Sequence, residues 1–199
     1  EKIYDCGQRG VWLKDIQLDP KSNPLVLFID SECRDYTGTW KVASRSPTGW
    51  AVADVAPSDH MYDDGALVIR GKRDYRLFAP TGVSQPHEDG GEIVEWQSID
   101  GGASWRQLRA LTAASPFSHN NVKAVLDGAP DFEVFWSYGD SQSPPRSRDV
   151  DLYCFGKTMD EPRRMAAGRL LECGDSSPLS CPISNSHISA TSYLPQKGP

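Results

Sequence analysis

The sequence predicts an all-β chain built from repeated four-stranded units, and three observations carry that prediction. Short β-type runs succeed one another with turn residues between them. Phenylalanines recur about every 50 residues, at Phe28, Phe78 and Phe135. Glycine (17) and proline (15) are plentiful for a chain of 199 residues. Short strands at this spacing, with turn signals between them, belong to all-β architectures. Hydrophobic residues make up 38% and charged residues 24%, which is enough to bury a core and excludes disorder by composition. Length predicts one domain, or at most two small ones.

The elements follow in three sets. In the first, Ile16–Asp19 leads through a Pro/Asn turn to the apolar run Leu25–Ile29. Trp40–Ala43 and Trp50–Val55 come next, separated by the turn Ser46-Pro47-Thr48-Gly49. The second set is Ala66–Ile69, Tyr75–Ala79, Glu92–Ser98 and Trp105–Leu111. The third is Val122–Leu126, Phe132–Trp136 and Val150–Phe155, and its outer strand is expected to be missing. A period near 50 made of four short strands is that of a β-propeller blade, so the blades are expected at 11–57, 58–112 and 113–156. A β-sandwich with similar hairpins is the alternative. Residues 157–199 change character: Met159–Leu171 is expected to form one short helix, followed by a loosely ordered Ser/Pro-rich extension.

One turn is specific. Ser98-Ile99-Asp100-Gly101-Gly102-Ala103-Ser104-Trp105 matches the pattern S/T-x-D-x-G-x-S/T-W. Its asparate can accept bonds from turn amides, its glycines permit positive φ, and its tryptophan can fold back over the hairpin. With this turn, residues 11–156 resemble the sialidase-like Asp-box propellers, also called bacterial neuraminidase repeats. They are most similar to the carboxyl-terminal half of a polysaccharide-active branch. The stretches that carry the resemblance are Val11–Ile16, Ser58–Gly65, Gly90–Trp96 and Asp131–Trp136. The resemblance implies a carbohydrate-active protein, secreted or periplasmic, that cleaves a polysaccharide or glycoside by lysis or hydrolysis. In that family the box is structural, so Asp100 is not a catalytic candidate. The F/Y-R-I-P motif of sialidases proper is absent, which argues against sialic acid. A non-catalytic glycan- or protein-binding module is the alternative.

The chemistry is expected between the blades. His60, Tyr62, Asp63 and Asp64 cluster between the first and second, and His119 with Asn120 and Asn121 between the second and third. Imidazole suits proton transfer near neutral pH, so His60, Tyr62 and His119 are the catalytic candidates. Asp63, Asp64, Glu92 and Asn120 are the candidates for substrate binding. Glu92 and Glu95 are expected to share a strand face opposite Ile93 and Val94, solvated or with one serving as a general acid. Arg34, Arg70, Arg73, Arg76 and Arg109 have no motif setting and read as surface charge. Trp12, Trp96 and Trp136 offer sugar-stacking faces or core packing. His87 would rim a pocket from a polar loop, and His187 in the tail carries no assignment.

Composition limits the partners. Lysine and arginine number 21 against 27 aspartates and glutamates, a net charge of −6, which disfavours nucleic acid. No apolar run approaches the roughly 20 residues that cross a bilayer. No metal ligand set is assigned and no cofactor is expected, apart from oxygen ligands for a structural Ca²⁺ in the Asp140–Asp151 loop. Nucleotide-binding glycine motifs, HExxH and GxSxG are missing. The five cysteines include no CxxC pair. Cys33 and Cys154 read as buried or loop thiols, and Cys173 and Cys181 are close enough in sequence to bridge. Glu1 stands where an initiator Met would be, which leaves room for a removed leader or a longer segment. Three blades also leave open edges, so a second copy or a missing segment is expected to complete the ring.

Overall fold

The computed structural model describes residues 1–32, 37–82, 90–139 and 150–165. Among these residues the regular structure is all β, in three four-stranded antiparallel sheets. The first sheet runs β1 (Gly10–Leu18), β2 (Pro24–Ser31), β3 (Gly38–Ser46) and β4 (Gly49–Ser58). The second runs β5 (Ala66–Ile69), β6 (Tyr75–Ala79), β7 (Val94–Ser98) and β8 (Arg106–Ala110). The third runs β9 (Ser118–Ala124), β10 (Val134–Gly139), β11 (Asp151–Phe155) and β12 (Arg163–Met165). In each sheet the strands lie in sequence order, so every connection inside a sheet is a hairpin-type return. The first strands, β1, β5 and β9, lie side by side. The amide of Leu67 donates to Asp15 Oδ2 at 2.8 Å and that of Val122 to the Asp64 carbonyl at 3.4 Å. These are propeller blades with their inner strands adjacent.

The third blade is complete, against expectation. β12 supplies its outer strand, with Arg163, Arg164 and Met165 opposite Cys154, Tyr153 and Leu152. These residues were expected in a helix. The open edge of β11 offers backbone partners that a helix there would leave unused. The blade therefore extends past residue 156. Residues 159–162 of the expected helix are not helical either, and its residues 166–171 and the Ser/Pro-rich extension lie outside the described residues, as do Cys33, Arg34, His87, Cys173, Cys181, His187 and the Ca²⁺ loop apart from Val150 and Asp151. Cys6 and Cys154 are free thiols.

Two apolar layers hold the blades together. Leu25, Leu27, Ile29, Trp40 and Val42 of the first blade meet Leu67, Tyr75, Leu77 and Ala79 of the second. Ala66, Phe78 and Ile93 of the second meet Val122, Val134, Trp136 and Phe155 of the third. Phe28 and Phe78, matched by spacing, do not match in direction. Phe28 packs on Tyr4 with ring centroids 5.2 Å apart, while Phe78 sits in the layer shared with the third blade. A slip of one residue along a strand reverses its faces.

Strand direction sorts the connections. The β2–β3, β4–β5, β6–β7, β8–β9 and β10–β11 connections emerge at one end of the blades, and the remaining hairpins at the other. At that other end lies the Ser98–Trp105 turn. Asp100 Oδ1 accepts from the Ser104 amide (3.0 Å) and the Ser98 hydroxyl (2.8 Å), and Oδ2 from the Ser104 hydroxyl (2.5 Å). These bonds hold the Asp100 carboxyl down at a pKa of about 2. Gly101 and Gly102 take φ of 79° and 92°, and Trp105 Nε1 donates to the Gly102 carbonyl at 3.2 Å.

Candidate functional site

The β4–β5 connection carries His60, Tyr62, Asp63 and Asp64. It is a tight turn: the Asp63 amide donates to the His60 carbonyl (3.3 Å) and the Tyr62 amide to His60 Nδ1 (3.2 Å). The His60 and Tyr62 rings lie 5.1 Å apart, and Tyr62 is 52% exposed. Asp63 points inward and is fully buried, its Oδ1 accepting from the Gly90 amide at 2.6 Å. The Asp64 amide donates to Asn120 Oδ1 at 3.0 Å. Its carboxylate lies between Lys14 (3.5 Å) and Lys123 (2.7 Å). Burial depresses the Lys14 pKa despite the neighbouring aspartates.

His119 is not in a connection as expected, but is the second residue of β9. Gly91 pairs with it, donating its amide to the His119 carbonyl (3.0 Å) and accepting from the His119 amide (3.1 Å). The pairing reaches from a distant part of the chain and turns a polar, loop-like stretch into a strand start. A bulge follows: Asn121 and Val122 stand opposite the single residue Trp136, and Asn121 takes φ of 58°. Asparagine tolerates this left-handed conformation better than most residues.

The imidazole is 2% exposed and sits among Trp136, Tyr138 and Tyr153, its centroid 4.5 Å from that of Tyr138. Trp136 Nε1 donates to Nδ1 at 2.9 Å. Nε2 lies 3.0 Å from the Ser115 hydroxyl, which also lies 3.0 Å from Glu92 Oε2. The Ser115 amide donates to Glu92 Oε1 at 2.7 Å. Burial pushes the His119 pKa down to about 4, against the opposing pull of Glu92.

The two glutamates part company. Neither is solvated: Glu92 is 8% exposed and Glu95 fully buried. Nor do they share a strand face as expected: Glu95 lies in β7 and Glu92 precedes it, and residues three apart in extended chain point to opposite faces, so they meet entirely different partners. Glu95 takes bonds from Arg70 Nη1 (3.2 Å), Arg76 Nε (3.0 Å) and Arg109 Nε (2.8 Å), so these arginines are not simple surface charge. Arg70 also grips Glu133 of the third blade through Nε (3.1 Å) and Nη2 (2.6 Å). The cluster fastens two blades and leaves Glu95 no part in the site. Glu92 also borders a cleft of about 430 Å³, with Thr81, Gly82, Gln107 and Thr112 on its walls.

The fold is shared with a polysaccharide lyase. The solved structure of a PL25 ulvan lyase superposes with a TM-score of 0.57 at 16% identity, over 79% of this chain and 35% of that one. The same values hold for the ulvan lyase bound to -[GlcA(1-4)Rha3S]-. A GH93 α-L-arabinofuranosidase of Fusarium graminearum, in complex with arabinobiose, gives 0.48 at 13% identity over 79% of this chain and 50% of that one. The chain thus spans about a third of the length of the ulvan lyase it matches (35%). No protein-family model and no curated protein matches the sequence.

All seven expected site residues take part in these hydrogen bonds, at the backbone or side chain: the His60–Asp64 turn is tied to Gly90 by Asp63 and to Asn120 of β9 by Asp64. Glu92 joins from the other side through Ser115. Ser115, Trp136, Lys14 and Lys123 were not anticipated as members. For Trp136 the aromatic run Phe132–Trp136 gave a signal of burial but none of a bond to His119. Ser115 gave no signal at all.

Proposed function

We propose that the chain forms part of a carbohydrate-active propeller that cleaves a polysaccharide or glycoside where the His60–Asp64 turn, residues 90–93 and the start of β9 meet. The observation that carries the reading is the pair of bonds Asp63–Gly90 and Asp64–Asn120, which fix the His60–Tyr62 turn against the strand bearing His119. The fold shared with a lyase, solved also with a saccharide, supports a glycan as the partner. Such a substrate is met outside the cytoplasm, in keeping with a secreted or periplasmic protein.

Within this reading His60 and Tyr62 handle protons and His119 holds the wall. Both ring nitrogens of His119 are engaged, and at a pKa of about 4 it is a weak base at neutral pH. In a lytic reaction His60 or Tyr62 removes the proton beside a uronate carboxylate whose charge a cation offsets. The electron pair forms a carbon–carbon double bond as the glycosidic C–O bond breaks, and the leaving oxygen takes a proton. Lys123, 63% exposed beside Asp64, is a cation on the same network. In a hydrolytic reaction one of these groups protonates the leaving oxygen and the other takes a proton from the water that adds to the sugar. The test is turnover of a polysaccharide panel, read as reducing ends and as absorbance of unsaturated uronate. His60→Ala, Tyr62→Phe and His119→Ala should each lower it at least tenfold. Three variants with wild-type turnover would sink the assignment.

The burial of His119 favours a second reading, a non-catalytic glycan-binding module. Glycan binding by the unmodified protein without release of either product would establish it.

A further inference from the structure

Of the three tryptophans whose faces can stack on a sugar, the structure leaves one open. Trp136 is 1% exposed and stacked on Tyr153. Trp96 packs on the layer between the first two blades and donates to Thr81 Oγ1 at 2.8 Å. Trp12, near the start of β1, is 37% exposed. Its ring meets that of Tyr62 edge-on, with centroids 5.5 Å apart and planes at 73°. Tyr62 in turn lies against His60. A hollow of about 320 Å³ opens beside the indole, bounded by Gly10, Val11 and Met61. That is at the small end of ligand sites, in the range of one or two sugar rings.

The exposure of Trp12 does not belong to the aliphatic stripe of β1. Leu13, Ile16 and Leu18 are also exposed, but they stand opposite Phe28, Val26 and Pro24. Trp12 stands opposite Ile29, whose side chain enters the layer shared with the second blade. Residues directly opposed in a pair of strands share a face. Trp12 is therefore on the other face from the stripe, at the end of β1 where the β4–β5 turn arrives.

We infer that Trp12 and Tyr62 form a stacking subsite for a pyranose ring, beside the proton-transfer groups. The inference rests on the carbohydrate reading above and adds a residue to it. Two rings set edge to face make a corner: the C–H face of a sugar covers one ring while its hydroxyls reach the polar groups at the rim. The indole N–H, the phenol and the His60 imidazole are those groups. A purely aliphatic occupant would cover them without bonding to them, at a desolvation cost a sugar avoids.

The test uses the whole chain labelled with ¹⁵N at the indole nitrogens. An ulvan tetrasaccharide and a neutral β-glucan tetrasaccharide are the probes, titrated by calorimetry and followed by NMR. The Trp12 indole resonance, assigned by its loss in Trp12→Phe, should move on saturation with at least one probe. Trp12→Ala should weaken binding of that probe about tenfold, a loss of about 1.4 kcal/mol, and Trp12→Phe should restore most of it. If Trp12→Ala does not fold, the indole shift in the unmodified protein and the affinity of Trp12→Phe decide. Binding that leaves the Trp12 resonance unmoved, or that survives Trp12→Ala at full strength, overturns the subsite and leaves the carbohydrate reading standing. If neither probe binds or is cleaved, both the subsite and the carbohydrate reading fall.

Discussion

Trp136 Nε1 donates to His119 Nδ1 at 2.9 Å, and this bond settles the state of the imidazole. An indole nitrogen only donates, so Nδ1 must keep its lone pair. In the neutral ring the proton then sits on Nε2, which donates to the Ser115 hydroxyl. Ser115 passes the direction on by donating to Glu92 Oε2. The chain Trp136–His119–Ser115–Glu92 runs one way, from a strand of the third blade to the second. Protonating Nδ1 would set two donors face to face.

Stability should therefore fall with acid in a window set by His119. Its pKa drops from 6.5 unfolded to about 4 folded. Above pH 6.5 both states carry a neutral ring and the stabilisation is complete. Between 6.5 and 4 the unfolded chain binds a proton that the folded one refuses, so stability declines; below 4 the loss is complete, at about 3 kcal/mol. Urea denaturation of the unmodified protein and of His119→Gln at pH 7.5 and 4.5 checks this. The difference in unfolding free energy between the two pH values should shrink by about 2 kcal/mol or more in the variant. Equal differences would count against the assignment.

Glu95 should be the most costly carboxylate to remove. It is wholly buried and stands among Arg70, Arg76 and Arg109. Breaking a buried ion cluster from one side leaves charge without its partner, at about 3 to 5 kcal/mol. Glu95→Gln should lower the urea midpoint accordingly. Arg164→Ala, which breaks an exposed pair with Asp151, should cost less than about 1 kcal/mol. Similar midpoints for the two variants would refute the role given to the cluster.

These side chains also mark where the sequence was legible. Leu25, Leu27 and Ile29 alternate along β2 and announce a strand, and the Ser98–Trp105 pattern announces a hairpin. Arg163-Arg164-Met165 announces nothing, since an outer edge strand needs only backbone partners and this one buries little. Ser118-His119-Asn120-Asn121 reads as loop until Gly91 arrives to pair with it. Glu95 reads as a solvated residue because its arginines lie 25, 19 and 14 positions away. Local patterns reveal strands; partners brought by the folding of distant segments are invisible in them.

Asn121 should tolerate glycine better than a branched residue. Its φ of 58° lies in the left-handed region, and its Nδ2 donates to the Ser137 hydroxyl at 3.0 Å. Asn121→Gly relieves any backbone strain but loses that bond, so its net effect should stay within about 1 kcal/mol. Asn121→Val adds left-handed strain of about 1 to 2 kcal/mol to the same loss. Thermal melts should rank the glycine variant clearly above the valine one. The reverse order would mean that the bulge does not hold this conformation.

Gly90 is where stability and the site should fail together. Its φ is +93°, and a Cβ placed on it would stand 2.3 Å from the His119 carbonyl oxygen. That neighbour is backbone engaged with Gly91 and cannot swing away. Gly90 also supplies the amide that Asp63 accepts. Gly90→Ala must therefore displace either β9 or the His60–Asp64 turn, at about 2 to 4 kcal/mol for strain and overpacking together. Gly49→Ala is the control: its φ is +128°, but nothing lies within 4 Å of the added Cβ. Near-ultraviolet circular dichroism should change in Gly90→Ala, where Trp136 and Tyr138 surround His119, and saccharide turnover or binding should drop with it. The Gly49 variant should lose some stability to backbone strain while keeping the spectrum and the function. A Gly90→Ala protein with unaltered spectrum and midpoint would show that the 90–91 segment does not brace His119 as described.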